Sequence, residues 1–111
     1  MSKVLVVGGG AAGMFAAIFA AYNGNEVHIF EKNEKLGKKL YITGKGRCNI
    51  TNASDMDTFF ASVVTNSKFL YSSFYGYTNQ DVIDFFERIG VATKIERGNR
   101  VFPVSDHSSD V

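Results

Sequence analysis

The chain has one cysteine, one proline and no tryptophan among its 111 residues. A single cysteine, Cys48, cannot close a disulfide within the chain, and this usage suits a reducing, cytoplasmic compartment. Neither sign of charge is in surplus. Twelve Lys and Arg stand against eleven Asp and Glu, a formal net charge of +1, which gives no electrostatic case for nucleic acid or an anionic membrane surface. Metal-ligand spacing, a nucleophile–base pair, internal repeats and a low-complexity linker are all missing. What remains is a globular composition, 45% hydrophobic and 21% charged with ten phenylalanines, at the length of one domain.

Charged side chains are also absent from Val4 to Asn25. A membrane span needs about 20 apolar residues in continuous helix, but Gly8, Gly9 and Gly10 interrupt this one, and each glycine costs a helix about 1 kcal/mol. A secretion signal would want a basic start and a small-x-small cleavage site, and neither is clear. A soluble β-turn-α-β unit accounts for the glycines. Val4–Val7 reads as a parallel strand buried on both faces, residues 11–23 as a helix stopped at Gly24, and residues 26–31 as a second strand.

The triple glycine fits G-x-G-x-x-G in one register: Gly8, Gly10 and Gly13. Gly8 permits the tight turn, Gly10 lets a pyrophosphate lie against the backbone, and Gly13 lets helix and strand pack closely. The N–H groups of Ala11 and Ala12 then lie unpaired at the helix start and face the anion. Glu31, 18 residues after Gly13, stands where a carboxylate accepts hydrogen bonds from a ribose diol and repels a 2′-phosphate. This disfavours NADP at this site and leaves FAD or NAD.

Residues 31–52, EKNEKLGKKLYITGKGRCNITN, form a basic, glycine-punctuated stretch where a crossover helix usually follows. Its glycines allow close backbone approach, and Lys38, Lys39, Lys45 and Arg47 can neutralise phosphates; a solvated charged loop is the plainer alternative.

Together, Gly8-x-Gly10-x-x-Gly13-x-x-x-Ala17, Gly24 and Glu31 resemble the FAD fingerprint of two-dinucleotide-binding-domain flavoproteins. The 31–52 stretch, with RVFPVSD at 100–106, resembles the BaiN/YhiN-like FAD-dependent oxidoreductases, some labelled an aminoacetone oxidase family and others linked to bile-acid reduction. The resemblance covers essentially the whole chain. It implies an FAD cofactor, a small-molecule substrate and an NAD(P)H electron donor as one option. It further implies that Lys32, Lys39, Thr43, Gly44, Gly46, Arg47, Cys48 and Asn49 lie near FAD. Members of that family are several hundred residues long, so this chain is expected to be an N-terminal piece with an incomplete Rossmann-like sheet.

The expected organisation is therefore an α/β, Rossmann-like βαβ unit with its second glycine loop over residues 1–53, then a helical segment and a hairpin over 54–111. Ser54 is expected to cap a helix carrying Met56, Phe59, Phe60, Val63 and Val64, and Ser67 a second with Phe69, Leu70, Phe74 and Tyr75. Thr78 or Asn79 should open a third, with an apolar stripe of Val82, Ile83, Phe85, Phe86 and Ile89, stopped by Gly90. A hairpin then turns at residues 97–99, with Pro103 at an edge or a strand end. Ser105 or Asp106 should cap a last helix. Arg100, Asp106 and His107 read as a surface turn or as the lining of a substrate pocket.

Overall fold

A computed structural model describes all residues, 1–111. The chain divides into two compact units, Met1–Thr43 and Gly44–Val111.

In the first unit, β1 (Lys3–Val7), α1 (Ala11–Tyr22) and β2 (Glu26–Phe30) form the expected βαβ arrangement. The strands pair in parallel, with Lys3 opposite Glu26 and Val7 opposite Phe30. The β-branched run favours strand, and Gly24, at φ +82°, turns the chain after α1. Helix α1 packs on both strands; Val4, Val6, Val27 and Ile29, which share one face of the sheet, are half-buried, and Ala17 of the helix is buried. The opposite face is open: Leu5, Val7 and Phe30 are 58%, 88% and 55% exposed. The expectation of strands buried on both faces is thus corrected, because within this unit one helix serves two strands. No helix is long and apolar enough to cross a membrane; α1 has 12 residues. A short helix, α2 (Lys38–Tyr41), follows.

In the second unit, β3 (Thr51–Asn52), β4 (Thr93–Glu96) and β5 (Arg100–Pro103) make an antiparallel sheet in the order β3-β5-β4. The hairpin turns at residues 97–99 as expected, with Gly98 and Asn99 at φ +76° and +60°. Pro103 ends β5, where its missing N–H breaks no pairing. The β3 strand had no signal of its own in the sequence; two residues are too few to show alternation.

Helix α5 (Asn79–Arg88) packs on β3 and β4. A capping box opens it: Asp81 N–H donates to Thr78 Oγ1 at 3.1 Å, and Thr78 N–H to Asp81 Oδ2 at 2.9 Å. Ile83, Phe85 and Phe86 are buried, whereas Ile89 lies past the last turn, half exposed. The buried Asn79 amide ties the helix to the sheet, donating to the Asn52 and Ser54 carbonyls at 2.6 and 2.7 Å.

The other two helices are shorter than expected. Asp55, not Ser54, caps α3 (Met56–Ala61): its Oδ1 accepts from Thr58 N–H at 2.8 Å, while the Ser54 hydroxyl is held by Asn52. The helix ends before Val63 and Val64, a β-branched pair that fits a helix poorly. Asn66, at φ +56°, precedes a single 3-10 turn over Ser67–Leu70 that leads into α4 (Tyr71–Gly76), with no side-chain cap from Ser67. Edge-to-face rings join α3 to α4, Phe60 to Tyr71 at 4.6 Å and Phe59 to Phe74 at 4.8 Å. The terminal helix start is absent. Only a 3-10 turn, Ser108–Asp110, forms, and Asp106 sits at φ +60°, outside the extended conformation of an N-cap.

Candidate functional site

The turn between β1 and α1 has the geometry its glycines demand. Gly8 is at φ +96° and its N–H donates to Phe30 O at 2.8 Å, joining the turn to the end of β2. A Cβ on Gly13 would lie 1.8 Å from Gly8 O, so no other residue fits there without displacing backbone. A Cβ on Gly10 would meet no protein atom within 4 Å; the space above it is open. Gly10 caps α1 without any side-chain hydrogen bond, and the first bond of the helix runs from Met14 N–H to Gly10 O at 2.9 Å. The N–H groups of Ala11, Ala12 and Gly13 therefore precede the helix's own hydrogen bonding, which is the arrangement that attracts an anion.

Glu31 follows β2 directly. Its Oε1 accepts from Gly9 N–H and its Oε2 from Asn33 N–H, both at 2.8 Å. These bonds, the Asn33 one first, hold its carboxyl below the usual carboxylate range. An ionised carboxylate offers about four lone-pair sites, so each oxygen keeps capacity for a further donor. An open groove of about 690 Å³ lies along Gly8, Phe30, Glu31, Lys32 and Asn33, at the C-terminal ends of both strands. This is where open α/β sheets take ligands.

The turn also contains residues that spacing alone did not mark. Gly9 is buried; a Cβ there would strike Leu36 Cδ2 at 2.4 Å. Gly37 N–H donates to Gly9 O at 2.7 Å, so the segment after Glu31 folds back on the glycine turn. The middle glycine of the run, Gly9, and Gly37, at φ +66°, were the available signals. Lys32 and Lys39 are exposed, and Thr43 Oγ1 donates to Leu40 O at 2.6 Å.

In the second unit the residues expected near the cofactor form one left-handed loop. Gly44, Lys45, Gly46 and Cys48 have φ of +57°, +57°, +86° and +61°. A Cβ on Gly44 would lie 2.8 Å from Asn49 N. Cys48 is 1% exposed, a packed thiol, while Asn49 is exposed. Arg47 is committed to neighbours: its Nε donates to Asp106 Oδ1 at 2.8 Å, its Nη2 to Glu96, and its guanidinium lies 4.0 Å from the Phe102 ring centroid. Lys94 Nζ bridges the two carboxylates, 2.8 Å from Asp106 Oδ2 and 3.2 Å from Glu96 Oε2. Asp106 thus belongs to this cluster, while Arg100 and His107 are exposed.

The HI0933-like protein Rossmann domain matches residues 2–111. The chain belongs to this family. It is 36% identical over its whole length to a 3-dehydro-bile acid delta(4,6)-reductase of Clostridium scindens, of which it covers 27%. Over 81% of its length it is 34% identical to a ribosomal RNA dihydrouridine synthase of Haemophilus influenzae, covering 22% of that protein. A 40-residue segment is 58% identical to part of an NADH oxidase of Thermoanaerobacter brockii, covering 36% of this chain and 6% of that protein. The chain thus spans about a quarter of the length of the first two relatives.

Proposed function

We propose that this HI0933-like Rossmann chain binds FAD and serves a flavin-dependent oxidoreductase acting on a small molecule. One observation carries the reading. A glycine turn that only Gly13 can close stands beside an ionised Glu31, and both border an open groove at the strand ends. The residues fit the adenosine diphosphate half of the cofactor. Open space at Gly10 admits a pyrophosphate, the first N–H groups of α1, those of Ala11 and Ala12 among them, receive it, and Glu31 accepts from the ribose diol. Lys32 borders the same groove. Lys39, Thr43, Gly44, Gly46, Arg47, Cys48 and Asn49 remain proposed cofactor neighbours on the strength of the resemblance.

When bound, the flavin supplies hydride or two-electron acceptance; the chain supplies orientation and charge. NAD(P)H as donor belongs to the same proposal and is supported by the NADH oxidase relative.

Titration of the purified protein with FAD, followed by flavin fluorescence, and with ADP, followed by calorimetry, tests the reading. Both ligands are expected to bind. A 2′-phosphorylated adenosine should bind at least about tenfold more weakly, since the Glu31 carboxylate repels a like charge placed beside it. No response to FAD or ADP, or equal binding of the 2′-phosphate, would sink it.

A further inference from the structure

The resemblance places Arg47 near the cofactor and its charge invites the role of phosphate ligand. Its surroundings argue otherwise. Arg47 and Lys94 face Glu96 and Asp106, so two cations meet two anions. One face of the guanidinium is covered by the Phe102 ring. A phosphate reaching Arg47 would have to displace two carboxylates that repel it.

The backbone that carries Arg47 does need an anchor. Lys45, two residues before it, and Cys48, next after it, are non-glycine residues with left-handed backbone, a conformation that persists only where the surroundings impose it. Between them, Arg47 N–H donates to Gly44 O at 3.2 Å. Its side chain is then fixed from three places: β4 through Glu96, β5 through Phe102, and the segment after β5 through Asp106. Asp106 is itself left-handed, at φ +60°, and its N–H donates to Pro103 O at 3.0 Å. Lys94, bonded to both carboxylates, keeps either from turning away.

We propose that Glu96, Asp106 and Lys94 are positioning residues that hold Arg47 over Phe102 as a strut, fixing the left-handed Gly44–Cys48 loop, and that Arg47 is not a phosphate ligand. Only the purpose of the loop rests on the flavin reading.

Cys48 reports on the strut without any cofactor, because it is the chain's one cysteine and is buried at the loop. Its labelling by a thiol reagent, followed by mass spectrometry on the apoprotein, should be slow. Asp106→Asn, Glu96→Gln and Arg47→Met should each speed it roughly tenfold, the factor for losing a charge-assisted hydrogen bond. Arg47→Lys, keeping charge but losing the planar fork, should rescue only part. The double variant Arg47→Met/Asp106→Asn should add little to either single change, and Asp110→Asn, an exposed carboxylate in the same segment, should label like the unmutated protein. Amide exchange in α5 should stay constant throughout. Unchanged Cys48 labelling in the three strut variants, or labelling that rises in step with α5 exchange, overturns the proposal.

FAD affinity separates strut from ligand: Arg47→Met and Asp106→Asn should weaken it alike, and loss in Arg47→Met alone would overturn the strut. Failure of the unmutated protein to bind FAD would instead remove the flavin reading, leaving Cys48 labelling to decide the strut.

Discussion

Gly10 and Gly13 stand three residues apart in the same turn, yet they are glycines for different reasons. At Gly13 the obstacle is the protein's own backbone, a carbonyl oxygen 1.8 Å from where a Cβ would sit. Gly13→Ala must therefore push α1 away from β1, and is expected to cost about 1–3 kcal/mol of stability in urea unfolding, as overpacking does. At Gly10 the protein leaves room, and φ of −83° suits alanine. Gly10→Ala should fold with a loss below about 1 kcal/mol, while ADP and FAD binding falls at least about tenfold because a methyl group occupies the phosphate's path. Equal effects of the two substitutions on stability, measured by urea midpoints, would contradict this division. Glu31 makes a third case. Its carboxylate closes the turn through Gly9 and Asn33 before any ligand arrives, so Glu31→Gln should lower folding stability as well as ribose affinity. Calorimetry with ADP, beside a urea curve on the same protein, reads both.

Among the elements, α1 and α5 are held by opposite means. Helix α1 has no charge and no side-chain cap at its N-terminus; the Asn23 and Asn25 amides bond its last carbonyls, and the rest depends on packing against two strands. Helix α5 is amphipathic and carries a complete capping box. Thr78→Ala should therefore destabilise by about 1 kcal/mol, with faster amide exchange confined to the first turn of α5. Protection unchanged at residues 79–82 would show that Asn79's two carbonyl bonds suffice alone. These two helices, the two parallel strands and the hairpin at 97–99 were legible because each carries a long periodic pattern or a glycine at its boundary. Less of α3 and α4 was legible. The cap of α3 falls to Asp55 because Asn52 takes the Ser54 hydroxyl, a contact that no local pattern reveals. The site divides the same way. Gly8, Gly10, Gly13 and Glu31 are spaced by local backbone geometry and can be read from it. The Arg47–Glu96–Asp106–Lys94 cluster joins residues up to 59 positions apart, and spacing says nothing of such a meeting.

For the molecule as a whole, the ionisable groups act in one direction. Glu31, Asp55, Glu87, Glu96 and Asp106 are all held below their ordinary values, by Asn33, Thr58, Thr93, Arg47 and Lys94 respectively as the leading partners. Each is more acidic folded than unfolded. Its stabilising contribution is therefore complete above the ordinary values, 3.8 for aspartate and 4.5 for glutamate, and is lost as pH falls through the lower folded values. Lys94 is raised, chiefly by Asp106, so its contribution is complete below 10.5 and lost as pH rises past that point. Urea midpoints should thus be flat from about pH 6 to 9 and fall below about pH 4.5. Glu96→Gln with Asp106→Asn should make the acid limb shallower, since two of the five protons taken up there disappear, and should lower the plateau by leaving Arg47 and Lys94 without their anions. An acid limb that keeps its steepness in the double variant would separate the pH response from the carboxylates that anchor Arg47.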